Sequence, residues 1–246
     1  MIFVIVLIIT AVRIKSMDSH RISGRILAEN IAGPGMLRLV EQSMQARARK
    51  TSVTEIAVKE RKHPQAALTF DDGPDIRYTP LLLDGLKERN VRVSFFLLGE
   101  KVEQYPELVE RMQKEGHLVG NHTYHHVQLN KLNETKAREE ILKTNNLIYE
   151  TTGVYPLYLR PPFGAWKKNL ELCVEMLPVF WTIDTLDWKV QNTEKIVRTV
   201  QEQIEDGAII LMHDEYDTSV EAALQVADDL KAQGYELVTV DQLILP

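Results

Sequence analysis

The residues of this chain that could do chemistry fall into five short clusters. Asp71 and Asp72 stand side by side ahead of Gly73 and Pro74. Adjacent carboxylates repel unless a cation or a proton relieves them, although Asp, Gly and Pro are also ordinary turn formers. The second cluster is Asn121-His122-Thr123-Tyr124-His125-His126. His122 and His126 are four residues apart, so one helical turn would put both imidazoles on the same side. Two neutral imidazoles and a carboxylate suit zinc, and a catalytic zinc site uses three protein ligands with one position left for water. Asp72 is the third ligand in this reading, and His125 is a non-ligand. Arg160 with Pro161, Pro162, Phe163 and Gly164 forms the third cluster. Asp184, Asp187 and Trp188 form the fourth, and Leu211, His213 and Asp214 the fifth. Each has a plain structural account when taken alone: Arg160 as a surface charge, Trp188 as core, Asp214 as a helix cap, Asp184 as a strand-end cap.

All five clusters follow apolar runs. Ala66–Phe70, Val91–Leu98, Leu118–Asn121, the segment beginning at Tyr158, Val179–Asp184, Ala208–Met212 and Tyr235–Val240 read as strands. Between them Thr79–Arg89, Pro106–Glu115, Glu134–Thr151, Trp166–Leu177, Thr193–Glu205 and Ser219–Ala232 read as helices. Proline begins the second of these helices, and Gly153 follows the third, as expected at helix ends. Strand and helix thus alternate six or seven times over about 180 residues. That order predicts an α/β fold with a parallel sheet covered by helices, either a barrel or a doubly wound sheet. In both, functional groups collect at the carboxyl ends of the strands.

At this point the chain becomes recognisable. Thr69-Phe70-Asp71-Asp72-Gly73-Pro74, His122-Thr123-Tyr124-His125-His126, Arg160-Pro161-Pro162-Phe163-Gly164, Asp184-Thr185-Leu186-Asp187-Trp188 and Leu211-Met212-His213 resemble the five ordered motifs of the polysaccharide deacetylases. These are the NodB-homology enzymes of carbohydrate esterase family four, and the resemblance covers residues 64–246. It implies a distorted (β/α) barrel with an incomplete strand set. It implies that Asp72, His122 and His126 hold a divalent metal, zinc or cobalt. By the same resemblance Asp71 is the general base, oriented by Arg160, and His213 is the general acid, held charged by Asp187. Trp188 and Leu211 line the acetyl pocket. The main-chain N–H near Phe163 assists at the developing oxyanion, so phenylalanine in place of the tyrosine of many relatives leaves the chemistry intact. The implied substrate is an amino-sugar polymer. Peptidoglycan N-acetylglucosamine is the first expectation; chitin oligomers, acetylated xylan or another amide remain open.

The length of 246 residues allows one large domain or two small ones, and 44% hydrophobic and 26% charged residues are ordinary for a soluble globular protein. Cys173 is the sole cysteine, so no intramolecular disulfide can form, and its apolar neighbours Leu172 and Val174 mark it as core filler. The net charge is −6, unevenly spread. Residues 17–63 hold nine Lys and Arg against five Asp and Glu, or +4, and Arg13 and Lys15 add +2, leaving residues 64–246 at −12. So acidic a main domain argues against a nucleic-acid partner. Ile2–Val12 is an apolar run broken only by Thr10. It is shorter than the roughly 20 residues of a membrane span and matches a signal-peptide core. Residues 1–16 are therefore expected to be a signal peptide or a short signal anchor, with cleavage left open. Residues 17–63 are a basic stalk containing Gly33-Pro34-Gly35 and a short helix near Met36–Ala48. The expected locale is the cell exterior, with membrane contact through the N-terminal segment.

Overall fold

The computed structural model describes residues 62–166 and 176–244. The expectations for residues 1–16, for the stalk, for Cys173 and for most of the helix at Trp166–Leu177 lie outside these residues. The central strand is β1 (Gln65–Asp71). It alternates between two environments, as a period of two requires. Ala66, Leu68 and Phe70 pack outward into the main core, while Ala67 belongs to an inner cluster with Phe96 and Tyr158. Parallel β2 (Ser94–Leu97) lies on one side of β1 and β7 (Ala208–His213) on the other. Beyond β2 come β3 (Leu118–Asn121), β4 (Tyr158–Leu159) and β5 (Leu177–Pro178); beyond β7 comes β6 (Ile183–Asp184). Every pairing is parallel, and β8 (Glu236–Leu237) extends the sheet beside the start of β1.

Helices cover the outside of this sheet. The helix α1 (Tyr78–Glu88) buries Leu82, Leu83 and Leu86, and α7 (Asp217–Ala232) buries Ala222, Ala223, Val226, Ala227 and Leu230 against the same core. Small residues along α7 let it approach closely, and each leucine contributes about 1.5–3 kcal/mol on full burial. Between β2 and β3 lie α2 (Gly99–Gln104) and α3 (Pro106–Lys114). The helix α4 (Glu134–Thr152) begins at Asn133, whose side chain accepts the Lys136 N–H, and ends at Gly153 with φ 72°. Two further helices, α5 (Asp187–Val190) and α6 (Thr193–Gln203), precede β7, and α8 (Val240–Ile244) follows β8.

Most expected elements appear within a residue or two of their bounds. Val179–Asp184, however, is not one strand. The Val179 N–H bonds the Leu159 carbonyl on one edge of the sheet, whereas the Thr182 N–H bonds the Ile209 carbonyl on the other. The chain therefore crosses the open side of the barrel in this stretch, and only Ile183 and Asp184 pair as β6. Leu177 is likewise strand rather than helix, and Val240 starts a helix rather than ending a strand. The result is a curled half-barrel of parallel strands with helices outside, open between β5 and β6.

Candidate active site

The strand ends converge on one cluster. Asp71 closes β1, and its register partner on β7 is His213, so the two side chains leave adjacent strands at the same level. Arg160 follows β4 and is fully buried. It is no surface charge: one guanidinium nitrogen, Nη1, donates to Asp71 Oδ1 at 2.8 Å and to Thr69 Oγ1 at 2.7 Å. Its guanidinium carbon lies over the Phe96 ring, 4.2 Å from the centroid. Burial pushes the Asp71 carboxyl above its ordinary pKa, and Arg160 and His213 only partly offset this. The guanidinium alone would have kept Asp71 below that value, but at this depth desolvation wins. Asp71 Oδ2, the oxygen not bound to Arg160, faces His122 Nε2 at 3.8 Å.

His122 and His126 do not share a helical turn. Residues 122–126 are irregular, and their imidazoles meet because the backbone is left-handed at Thr123 (φ 67°) and His126 (φ 54°). Their ring centroids are 5.0 Å apart. Positive φ is unfavourable for a β-branched residue, and buried side chains hold it in place. Asn121 Oδ1 accepts the Thr123 N–H at 2.6 Å, and Thr123 Oγ1 accepts the Val127 N–H at 3.2 Å. Glu140 on α4 accepts the N–H groups of Tyr124 and His125 at 3.1 and 2.9 Å. Glu140 also lies 2.8 Å from His125 Nδ1, so His125 is engaged away from the cluster.

The third element is β7 with α5. Asp187 Oδ1 lies 2.8 Å from His213 Nδ1, and Asp187 Oδ2 accepts the His213 backbone N–H at 2.8 Å. Burial lowers the His213 pKa, but the Asp187 hydrogen bond and charge overcome it, with Asp71 and Asp72 adding, to about 9. Burial would raise Asp187; its bonds and attraction to His213 outweigh this and hold its carboxyl below the usual range. His213 Nε2 points toward Asp72 Oδ2, 3.9 Å away. Around the rim, Phe163 is 62% exposed and packs against His126, while Trp188 is 49% exposed rather than core. Leu211 is buried on β7. Phe163 has φ 59° inside the short 3-10 turn Pro162–Gly164. The bonds of that turn run from Gly164 and Ala165, leaving the Phe163 N–H outside them.

Asp72, His122 and His126 fit a divalent metal. Their ligand atoms lie within 4.8 Å of one another. Asp72 Oδ1 is buried without a hydrogen-bond partner among the described residues and stands 3.4 Å from both Nε2 atoms. Tetrahedral bonds of about 2.0–2.1 Å put ligand atoms about 3.3–3.5 Å apart. His122 Nδ1 donates to the Arg160 carbonyl at 2.6 Å, which leaves the Nε2 lone pair facing Asp72. Burial lowers the His122 pKa to about 3 despite Asp72, so its imidazole is neutral, as a metal ligand must be. The site thus unites a triad for a cation, a buried carboxylate with a raised pKa and a protonated imidazole, which together suit metal-assisted hydrolysis.

Several contributors escape sequence reasoning. Asn121 and Thr69 stand inside the recognised clusters yet carry no distinguishing signal there. Glu140 lies on a helix face among other charges. Asp214 caps nothing: α7 starts at Asp217, and Asp214 is buried against Thr79 and Gly73. Asp184 does act as a strand-end cap, with Oδ1 accepting the Leu186 N–H at 3.0 Å.

Comparison with known proteins follows the same lines. The polysaccharide deacetylase family model matches residues 58–179. The chain is 42% identical over 185 residues to the peptidoglycan-N-acetylglucosamine deacetylase PgdA of Listeria monocytogenes, covering 75% of this chain and 40% of that one. It therefore spans about two fifths of that relative's length. A peptidoglycan-N-acetylglucosamine deacetylase of Bacillus cereus is 40% identical over 186 residues, which cover 73% of this chain and 68% of that protein. Among solved structures, the peptidoglycan deacetylase PdaC of Bacillus subtilis superposes with a TM-score of 0.72 at 42% identity, over 74% of this chain and 91% of that one. Fold, sequence identity and family match agree, and the chain belongs to the polysaccharide deacetylase family.

Proposed function

We propose that this protein is a zinc-dependent hydrolase that removes N-acetyl groups from the N-acetylglucosamine of peptidoglycan. The observation that carries the reading is Asp72 Oδ1: buried, unpartnered among the described residues, equidistant from two imidazole nitrogens, and flanked by Asp71 and His213. The relatives named as peptidoglycan deacetylases support the substrate.

Asp72, His122 and His126 would hold the cation, which when bound polarises the acetyl carbonyl and acidifies an attacking water. Asp71 takes the proton of that water on Oδ2 while Arg160 fixes Oδ1; its raised pKa makes it the stronger acceptor. Oxygen adds to the carbonyl carbon, and the carbonyl oxygen that gains charge comes within reach of the Phe163 N–H. His213, protonated and steered by Asp187, gives its Nε2 proton to the sugar nitrogen as the C–N bond breaks. Acetate and a free amine leave. Trp188 and Leu211 receive the methyl group, and the exposed Phe163 borders the polymer.

The test is acetate release by the full chain after chelation and zinc addition. Peptidoglycan, N-acetylated chitin oligomers and acetylated xylan serve as substrates, and the deacetylated sugar in the peptidoglycan product is identified. The proposal expects zinc-restored release with glucosamine in the digest. Muramic acid instead would move the site of action to the other sugar of the polymer, the one for which the Bacillus subtilis deacetylase PdaC, 43% identical over 177 residues, is named. No release with zinc bound would overturn the reading. We extend the proposal to export, supported by the apolar run Ile2–Val12. A fusion of residues 1–63 to a reporter active only outside the cytoplasm should be active, and an inactive fusion would contradict it.

A further inference from the structure

Three consecutive residues at the end of β7 are anchored to three different helices. His213 bonds Asp187 of α5, Asp214 accepts from Thr79 of α1, and Glu215 pairs with Lys101 of α2. The mechanism above uses only the first. Asp214 is fully buried, and its Oδ2 accepts the Thr79 hydroxyl. Thr79 Oγ1 in turn accepts the Asp75 N–H at 2.7 Å, and Asp75 Oδ1 accepts the N–H groups of Arg77 and Tyr78 at 2.8 and 2.9 Å. A continuous path of hydrogen bonds therefore joins the residue after the acid to the turn after the metal ligand Asp72.

Packing reinforces the path. A Cβ at Gly73 would lie 2.5 and 2.9 Å from the two Asp214 carboxylate oxygens, so the turn rests directly on this carboxyl. Asp72 has φ 70°, and the position it holds is one an L-residue leaves unless something opposes it. On the other side of the turn, the Leu98 N–H donates to the Gly73 carbonyl at 3.3 Å. Residues 72–75 are thus gripped from the start of α2 and from the β7 end.

We propose that Asp214 is a positioning residue for the reaction: through Thr79 and Gly73 it sets the Asp71–Asp72 strand end against His213, fixing the metal triad and the base relative to the acid. Its role is that of a compact hydrogen-bond acceptor rather than a negative charge. Burial raises its carboxyl to about 7 despite Thr79 and Lys101, and its Oδ1 has no hydrogen-bond partner among the described residues. An amide of the same shape should therefore serve, and a methyl group should not.

The kinetic part of the test rests on the deacetylase reading; zinc affinity of the purified full chain does not. Asp214→Ala is expected to weaken zinc binding and lower kcat by about tenfold to a hundredfold each, with KM little changed. Asp214→Asn should retain most of both. Thr79→Val, which deletes the relay at constant shape, should follow Asp214→Ala, and Thr79→Ser should recover. Folded Asp214→Ala with unaltered zinc affinity and kcat, or with a lowered thermal midpoint as its sole change, would overturn the proposal. If Asp214→Ala does not fold, the Thr79→Val and Thr79→Ser pair decides by the same readouts. Should the wild type bind zinc yet release no acetate, the functional reading fails while the zinc affinities still judge this one.

Discussion

Replacing Asp187 by asparagine isolates the electrostatics of the acid. The two side chains have the same shape, but the amide carries no charge and one acceptor oxygen where the Asp187 carboxylate serves two donors. One of the His213 N–H groups must lose its partner. The His213 pKa stands at about 9 against an ordinary 6.5, a difference of about 3 kcal/mol in favour of imidazolium. Burial works against that charge, and Asp187 is first among the groups that overcome it. A bound dication offsets the pull of Asp72 in both proteins, so the difference between them isolates Asp187. Without it, burial prevails and His213 should titrate well below its value in the wild type. In the proposed mechanism the protonated form is the active one: it is present below the pKa and lost as pH rises through it. The assay is kcat/KM for acetate release from pH 5.5 to 10 with zinc in excess. Wild type should keep its activity further into the alkaline range, and Asp187→Asn should begin to fall about two pH units earlier. An alkaline limb at the same pH in both proteins would refute the acid assignment or the role of Asp187 in it.

Three other perturbations test the remaining parts. Asp71→Asn should keep zinc affinity near wild type and lower kcat by about 10²–10⁴, measured by acetate release and chelator competition; near-normal turnover would remove Asp71 from the role of base. His122→Ala should weaken zinc binding about 100-fold or more, since each ligand carries a share of about 10–16 kcal/mol, and exogenous imidazole offers a rescue to look for. Gly99→Ala puts a methyl group 2.5 Å from Thr144 Oγ1, 3.1 Å from Tyr124 Cα and closer still to the Tyr124 ring. It should cost about 1–3 kcal/mol of stability in denaturant melts and weaken zinc binding, because the Gly99 N–H also holds the Thr123 carbonyl at 2.9 Å. Unchanged melts for the Gly99→Ala protein would mean the loop yields.

The legible part of the molecule is the part written in short range. Apolar runs ending in Asp, His or Arg locate the sheet and the groups at its carboxyl edge, and Leu118–Asn121 has the expected bounds. Register is not written there: nothing local says that Asp71 and His213 would be partners across β1 and β7. The crossing at 179–182 escaped because Val179 and Ile183 are buried like strand residues, yet they serve opposite edges of the sheet. The short helix Gly99–Gln104 begins at a glycine, which ordinarily speaks against helix; here the absent side chain admits Tyr124 and Thr144. The pKa of Asp71 could not be read from a list of neighbours, since the sign depends on depth as well as on Arg160.

Strain and support are distributed in a way that explains which residues were missed. Asp72, Thr123, His126 and Phe163 all have φ between 54° and 70°, and all four belong to the cluster that could hold a metal ion or to its rim. Each such conformation costs on the order of 1–3 kcal/mol and persists only where the surroundings over-determine it. The determinants are polar groups one layer away: Asn121 for Thr123, Glu140 for the loop carrying His126, and Asp214 with Leu98 for the turn at Asp72. None of them touches the reacting atoms, so none needs the spacing that betrays a ligand or an acid. Their partners are mostly backbone N–H and C=O groups, which nearly every residue possesses, and a sequence therefore cannot advertise them. The groups assigned to the proposed chemistry are legible because such a reaction restricts their types; the groups that support them are restricted only by three-dimensional contact.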